Sequence, residues 1–127
     1  MGIIAIIVAA AAAWIFGAVW YGIIGKQWME AAGLTEDSID RKNPVPYVGS
    51  FLCAIVVAAM TQYIFTATGT ETVAGGFITG LGLGALIAAP WIATNVLFQQ
   101  KSKSLIWMDG AYPTLGMAVM GLVLTLF

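Results

Sequence analysis

Four long apolar segments constrain the fold of this chain more than any other feature. They occupy residues 3–24, 47–67, 73–98 and 105–127 of a sequence of 127 residues. An α-helix rises about 1.5 Å per residue, so each segment is long enough to cross roughly 30 Å of hydrocarbon. Backbone polar groups inside a bilayer must be satisfied within the chain, which predicts helices at all four positions. The expected fold class is all-α, a single integral membrane domain over residues 1–127 with four transmembrane helices.

The composition agrees with a membrane protein and excludes several functions. Hydrophobic residues make up 61% of the chain and charged residues only 9%, whereas a soluble domain carries about a quarter charged residues. The net charge of -1 gives no electrostatic basis for binding nucleic acid. The sequence has no His and a single Cys, Cys53, which we expect to be a small buried apolar residue. We therefore predict no metal site and no cofactor.

The basic residues predict the orientation of the chain in the membrane. Lys26, Arg41 and Lys42 follow the first apolar segment, and Lys101 and Lys103 follow the third. The second connection and both chain ends carry no Lys or Arg. Since Lys and Arg are concentrated in cytoplasmic loops, loops one and three are predicted to be cytoplasmic and both termini to lie outside.

Local signals add detail to the helices and the first loop. Residues 26–32 are expected to form a short interfacial helix that ends at Gly33. Pro90 and Pro113 lie inside the third and fourth segments and are expected to kink them.

A stripe of small residues indicates where helices pack closely. The third segment has Gly76, Gly80 and Gly84 at successive fourth positions, continued by Ala88. Small residues allow helix backbones to approach each other in lipid, where burial of apolar side chains gives no driving force. The stripe predicts helix packing at these glycines, either inside the bundle or in a dimer or larger complex.

Several polar and aromatic residues fall at one depth once the orientation is assigned. Trp20 and Tyr21 lie near the end of the first segment, Asn95 near the end of the third, and Asp109 and Tyr112 near the start of the fourth. All five are therefore expected in the cytoplasmic leaflet. They form the candidate polar pocket of this chain.

Asp109 is the only acidic residue within a predicted span. A carboxylate at this depth is costly unless it is protonated, paired or hydrated, and such a residue is a functional candidate by default. Its expected partners are Asn95, Tyr21, or Lys101 and Lys103 from the adjoining loop. Two interpretations stay open: a small pocket that faces the cytoplasm, and a structural polar cluster close to headgroup water.

The chain also resembles a known family. The resemblance rests on three groups of residues: Trp20-Tyr21 followed by Gly25-Lys26-Gln27-Trp28-Met29 and Gly33-Leu34-Thr35-Glu36-Asp37; Thr94-Asn95 with Phe98; and Gly110 with Tyr112. This pattern is similar to small bacterial membrane proteins catalogued as domain of unknown function 1761. The resemblance implies one short domain of four helices and a multi-pass protein of the bacterial inner (cytoplasmic) membrane. It implies no reaction.

Two functions are consistent with these features. The first is a small structural or accessory membrane protein, which packs as a homo-oligomer or as a subunit of a larger membrane complex. The alternative is a carrier or transporter of a small or apolar ligand, such as a lipid or pigment, that uses the polar pocket around Asp109 and Asn95. An enzyme is not expected, because the sequence has no His, no pair of Cys residues and no paired intramembrane carboxylates.

Overall fold

The computed structural model describes residues 2–127, and over this range the chain is helical and contains no strand. The main helices are α1 (Ile3–Ile23), α2 (Gly25–Ala32), α3 (Val45–Thr68), α4 (Val73–Phe98) and α5 (Ser104–Leu126). All except α2 are long and apolar enough to cross a membrane. The predicted all-α class is confirmed, and the observed helices begin and end within two residues of the predicted spans.

The short helix expected after the first span is present as α2. It ends at Gly33, whose φ of 74° lies in the left-handed region that favours glycine. The N–H groups of Gly33 and Leu34 donate to the carbonyl oxygens of Glu30 and Met29, which satisfies the last turn of the helix. A single 3-10 turn, Glu36–Ser38, then leads toward α3.

Helix α5 lies at the centre of the molecule. It packs against α1 on one side and α4 on the other, while α3 packs mainly against α1. The connections 24–44 and 99–103 lie at one end, called the basic end here because it carries every Lys and Arg. The connection 69–72, the start of α1 and the end of α5 lie at the other, the terminal end.

Each end of the molecule has its own apolar core. The terminal-end core joins α1, α3 and α5, and its buried members are Ala5, Ala9, Ala10, Ala13, Ala54, Ala58, Phe65, Met120 and Leu124. The basic-end core is smaller and joins the start of α5 to α4 and to the end of α1; its buried members are Ile24, Val96, Leu105 and Met108. Partly buried aromatic rings of Trp20, Tyr21 and Trp28 surround this second core.

The glycine stripe of α4 packs against the backbone of α5. A Cβ at Gly80 would overlap the carbonyl oxygen of Met117, and one at Gly84 would overlap that of Pro113. Gly76 lies equally close to the backbone of Gly121. The close partner of this stripe is therefore a helix of the same chain.

A π-helical turn, Gly84–Ala88, interrupts α4 just before Pro90. The N–H of Ala89 donates to the carbonyl oxygen of Gly84, five residues earlier, in place of the usual four. Proline supplies no N–H, so regular α-helical bonding cannot continue through this position. The extra residue shifts the contact face: Ala89, rather than the expected Ala88, lies against Gly110 of α5.

Two polar or weakly polar side chains of α3 depart from expectation. Cys53 was expected to be buried but is exposed on the surface of the helix. Side chains that face lipid are as apolar as those inside the bundle, so hydrophobicity alone does not separate the two. The Gln62 amide nitrogen is buried and has no hydrogen-bond partner among the described residues, whereas buried polar groups are generally hydrogen-bonded.

The glycine contact predicts different effects for two neighbouring substitutions. Gly80→Ala should lower the free energy of unfolding by about 1–3 kcal/mol, because the added methyl group forces α4 away from α5. Gly82→Ala is the matched control, since a Cβ there meets no atom within 4 Å. It should leave the stability unchanged or raise it by up to about 1 kcal/mol through helix propensity. Equilibrium unfolding in detergent micelles measures both, and equal effects would contradict the contact.

Candidate functional site

The Asp109 carboxyl group links three helices at the basic end. One of its oxygens, Oδ1, accepts a hydrogen bond of 2.8 Å from the Tyr21 hydroxyl of α1. The same oxygen accepts a bond of 3.0 Å from the indole N–H of Trp28 in α2. Asp109 lies in the second turn of α5 and is partly buried. A single side chain therefore fixes the end of α1 and helix α2 onto α5.

Aromatic rings surround these hydrogen bonds. The Tyr21 ring meets Trp28 edge to face, with ring centroids 6.0 Å apart, and meets Tyr112 in the same way at 5.7 Å. Such edge-to-face pairs add about 0.5–1.5 kcal/mol beyond the area they bury. The Trp20 indole N–H donates to the backbone oxygen of Met108 at 2.9 Å, which ties α1 to α5 a second time.

The ring of Tyr112 lies on the bare backbone of Gly17 in α1. A Cβ at Gly17 would come within 2.6 Å of the Tyr112 ring. On its other side, Tyr112 is stacked near Phe16, with centroids 6.4 Å apart. The glycine is needed here for close approach, because any side chain would displace the ring.

The structure brings together four of the five residues predicted for the polar pocket. Trp20, Tyr21, Asp109 and Tyr112 all belong to the cluster. Asn95 does not: its side chain is exposed and hydrogen-bonds to no described residue. The expected pairing of Asn95 with Asp109 is therefore absent.

The lysines of the third connection do not pair with Asp109 either. The only ion pair among residues 2–127 joins Arg41 to Glu36, at 3.2 Å between exposed side chains. Trp28 takes the place that Lys101, Lys103 and Asn95 were expected to fill. The sequence places Trp28 seven residues after Tyr21, but the chain turns at Ile24 between α1 and α2, and this turn decides which way the indole points.

A cavity of about 600 Å³ adjoins the cluster. It lies between α1, α2, the connecting residues 33–44 and the start of α3. Its walls are mostly apolar and aromatic, and its lining residues are Trp14, Gly17, Ala18, Tyr21, Gly25, Trp28, Met29, Leu34, Ile39, Asp40, Arg41, Pro46, Tyr47, Ser50 and Tyr112. Asp109 does not line the cavity; it holds Tyr21 and Trp28, which do.

Most polar groups around the cavity bond to one another. The Trp14 indole N–H donates to Ser50 Oγ at 3.0 Å, and the Ser50 hydroxyl donates to the backbone oxygen of Tyr47 at 3.0 Å. The Tyr21 hydroxyl bonds to Asp109. No group of three or more Cys, Asp or Glu residues within 2–127 could hold a metal ion.

Comparison with known proteins shows the family of this chain. The profile of a family described as "Protein of unknown function (DUF1761)" matches residues 4–125, nearly the whole sequence. The chain belongs to the DUF1761 family. No curated protein and no solved structure matches it. The family expected from the local motifs is thus confirmed over residues 4–125 of this DUF1761 protein.

The hydrogen bonds to Asp109 predict a coupled loss of stability. Asp109→Ala leaves the Tyr21 hydroxyl and the Trp28 indole N–H without an acceptor, and each such loss costs about 1–3 kcal/mol. Tyr21→Phe should cost a similar amount in the native protein and almost nothing when Asp109 is already alanine. A double-mutant cycle in equilibrium unfolding measures this coupling. Tyr63→Phe, at a side chain that is 65% exposed, serves as the control. Additive effects of Asp109→Ala and Tyr21→Phe would show that the two groups act independently.

Proposed function

We propose that this DUF1761 protein binds a small apolar or amphiphilic molecule within the membrane. The cavity between α1 and α3 is the observation that carries the proposal. Ligand sites usually occupy about 300–1,000 Å³ and combine apolar walls with a few polar groups, and this cavity has both properties. Binding, rather than catalysis, is the role that these groups support.

Several side chains that line the cavity are already held in place by hydrogen bonds, and this favours a role in ligand binding. Tyr21 and Trp28 line the cavity, and both donate a hydrogen bond to Asp109, which lies outside the lining. Trp14 is held in the same way by Ser50 across the gap between α1 and α3. Side chains that are already fixed lose little conformational entropy when a ligand binds, so more of the contact energy contributes to affinity.

An accessory role in an oligomer or a larger membrane complex is the second candidate. The face of α4 that points away from α5 supports it, since its large apolar side chains are exposed, among them Ile78, Leu86, Trp91 and Phe98. In a membrane this face meets lipid or another protein. Native mass spectrometry of the protein extracted in mild detergent should give a defined complex if this role holds, and a monomer counts against it.

The proposal also includes an orientation: the cavity opens in the cytoplasmic leaflet of a bacterial inner membrane, with both chain termini outside. The location of all Lys and Arg residues at the basic end supports it. In a background with Cys53→Ser, Ser38→Cys should react with a membrane-impermeant maleimide only after the cells are opened. Thr70→Cys should react in intact cells. The reverse pattern would place the cavity in the outer leaflet.

Filling the cavity should remove bound ligand. Ala18 lines the cavity on α1. Ala18→Phe should displace the molecules that co-purify with the protein from its native membrane, because the new ring occupies their space. Val19→Phe, at the next residue, is the control, since Val19 is 55% exposed and does not line the cavity. Mass spectrometry of extracted small molecules measures both, and identical profiles for the two variants would refute the proposed site.

A further inference from the structure

We infer that the cavity takes a neutral, flat ring compound with a carbonyl oxygen, of the quinone type. This inference rests on the proposed function and names the chemical class of its ligand. It depends on three observations: the shape of the walls, one hydroxyl group without a partner, and the balance of charge at the mouth.

The walls are suited to a flat ring. Five aromatic side chains line the cavity: Trp14, Tyr21, Trp28, Tyr47 and Tyr112. Between them, Gly17, Ala18 and Gly25 present almost bare backbone. Aromatic faces and edges offer favourable stacked and edge-to-face contacts to another ring system. A volume of about 600 Å³ has room for one compound of this size.

The Tyr112 hydroxyl provides the polar contact. Its ring is partly buried among Gly17, Phe16 and Tyr21, and its hydroxyl is accessible from the cavity and makes no hydrogen bond to any described residue. A hydroxyl without a partner is costly in an apolar environment. The Tyr21 hydroxyl and the Trp14 indole are satisfied by Asp109 and Ser50, and the Tyr47 hydroxyl belongs to a side chain that is 50% exposed. A ligand carbonyl oxygen is the acceptor that Tyr112 lacks.

The charges at the mouth favour a neutral ligand. Arg41 is the only basic residue that lines the cavity, and its guanidinium group already pairs with Glu36 at 3.2 Å. Asp40, the next lining residue, adds a negative charge beside it. The lining therefore offers no unpaired cation for the carboxylate or phosphate of an anionic lipid. We therefore expect the cavity to bind a neutral ring ketone more tightly than a fatty acid, whose carboxylate would need an unpaired cation.

Calorimetric titration of the full chain in uncharged nanodiscs tests the inference with three probes. They are a decyl-substituted benzoquinone, decylbenzene, which has a flat six-membered ring and the same tail but no carbonyl groups, and oleate, an anionic single chain. The quinone should bind with saturation at one site. Decylbenzene should bind about three- to tenfold more weakly, as expected for the loss of one hydrogen bond.

Substitutions test whether the Tyr112 hydroxyl makes the hydrogen bond to the quinone. Tyr112→Phe should weaken quinone binding by about the same three- to tenfold and leave decylbenzene binding unchanged. Tyr63→Phe should leave quinone binding within about twofold, a difference too small for the loss of one hydrogen bond. The unfolding midpoint of each variant shows that the fold is retained, and the comparison of quinone with decylbenzene on the native chain needs no variant.

The outcomes separate this inference from the proposed function. Equal binding of quinone and decylbenzene, or tighter binding of oleate that Arg41→Gln abolishes, overturns the ligand class. The cavity is still the binding site in those cases if Ala18→Phe abolishes the binding that is seen. If no probe binds in a way that Ala18→Phe removes, both the ligand class and the proposed function fail.

Discussion

The backbone contact between α4 and α5 is the constraint on which the rest of the structure depends. Lipid offers no hydrophobic drive for helices to associate, so the bundle relies on atoms that approach closely. Gly80 and Gly84 place α4 directly on the carbonyl groups of α5. The other face of α5 is thereby presented to α1, where Gly17 accepts the ring of Tyr112. Small residues thus position α4 against α5 and α5 against α1.

At the basic end, side-chain hydrogen bonds add to these close contacts and hold the helices in position. The cost of an unpaired polar group is high in a medium without water, and the same cost makes a satisfied pair a strong positional restraint. Asp109 uses one oxygen to hold two aromatic donors, and those donors form a wall of the cavity. Asp109 therefore shapes the cavity without lining it. Its effect on a ligand would act through the position of the rings.

The sequence predicted the spans and the end of α2 accurately, because apolar segment length and a left-handed glycine are strong local signals. It also predicted the depth shared by Tyr21 and Asp109. Tyr21 was among the partners expected for Asp109, and the two side chains are hydrogen-bonded. The sequence could neither exclude Asn95 nor indicate Trp28, since depth fixes one coordinate and rotation of each helix fixes another. Asn95 faces outward for this reason, and Trp28 reaches Asp109 because the chain turns before α2.

The sequence predicted a polar pocket at this end of the molecule, but of its five residues only Tyr21 and Tyr112 line the cavity. Its lining comes from four helices and a connection, and each helix contributes only a few residues to it. Cys53 shows a related difficulty on α3, because an apolar run in lipid gives no periodic signal for the buried face. Periodicity is informative only where the two sides of a helix meet different solvents.

The contact between α4 and α5 differs on the two sides of the π turn in α4. Toward the terminal end, α4 and α5 touch backbone to backbone, and neither can rotate without a collision. Toward the basic end the two helices lie less tightly together, since a Cβ at Gly110 would meet Ala89 at an ordinary contact distance of 3.4 Å. The helices are therefore closely packed at the terminal end and more loosely packed at the basic end. A larger side chain placed between α4 and α5 is therefore more disruptive at the terminal end than at the basic end.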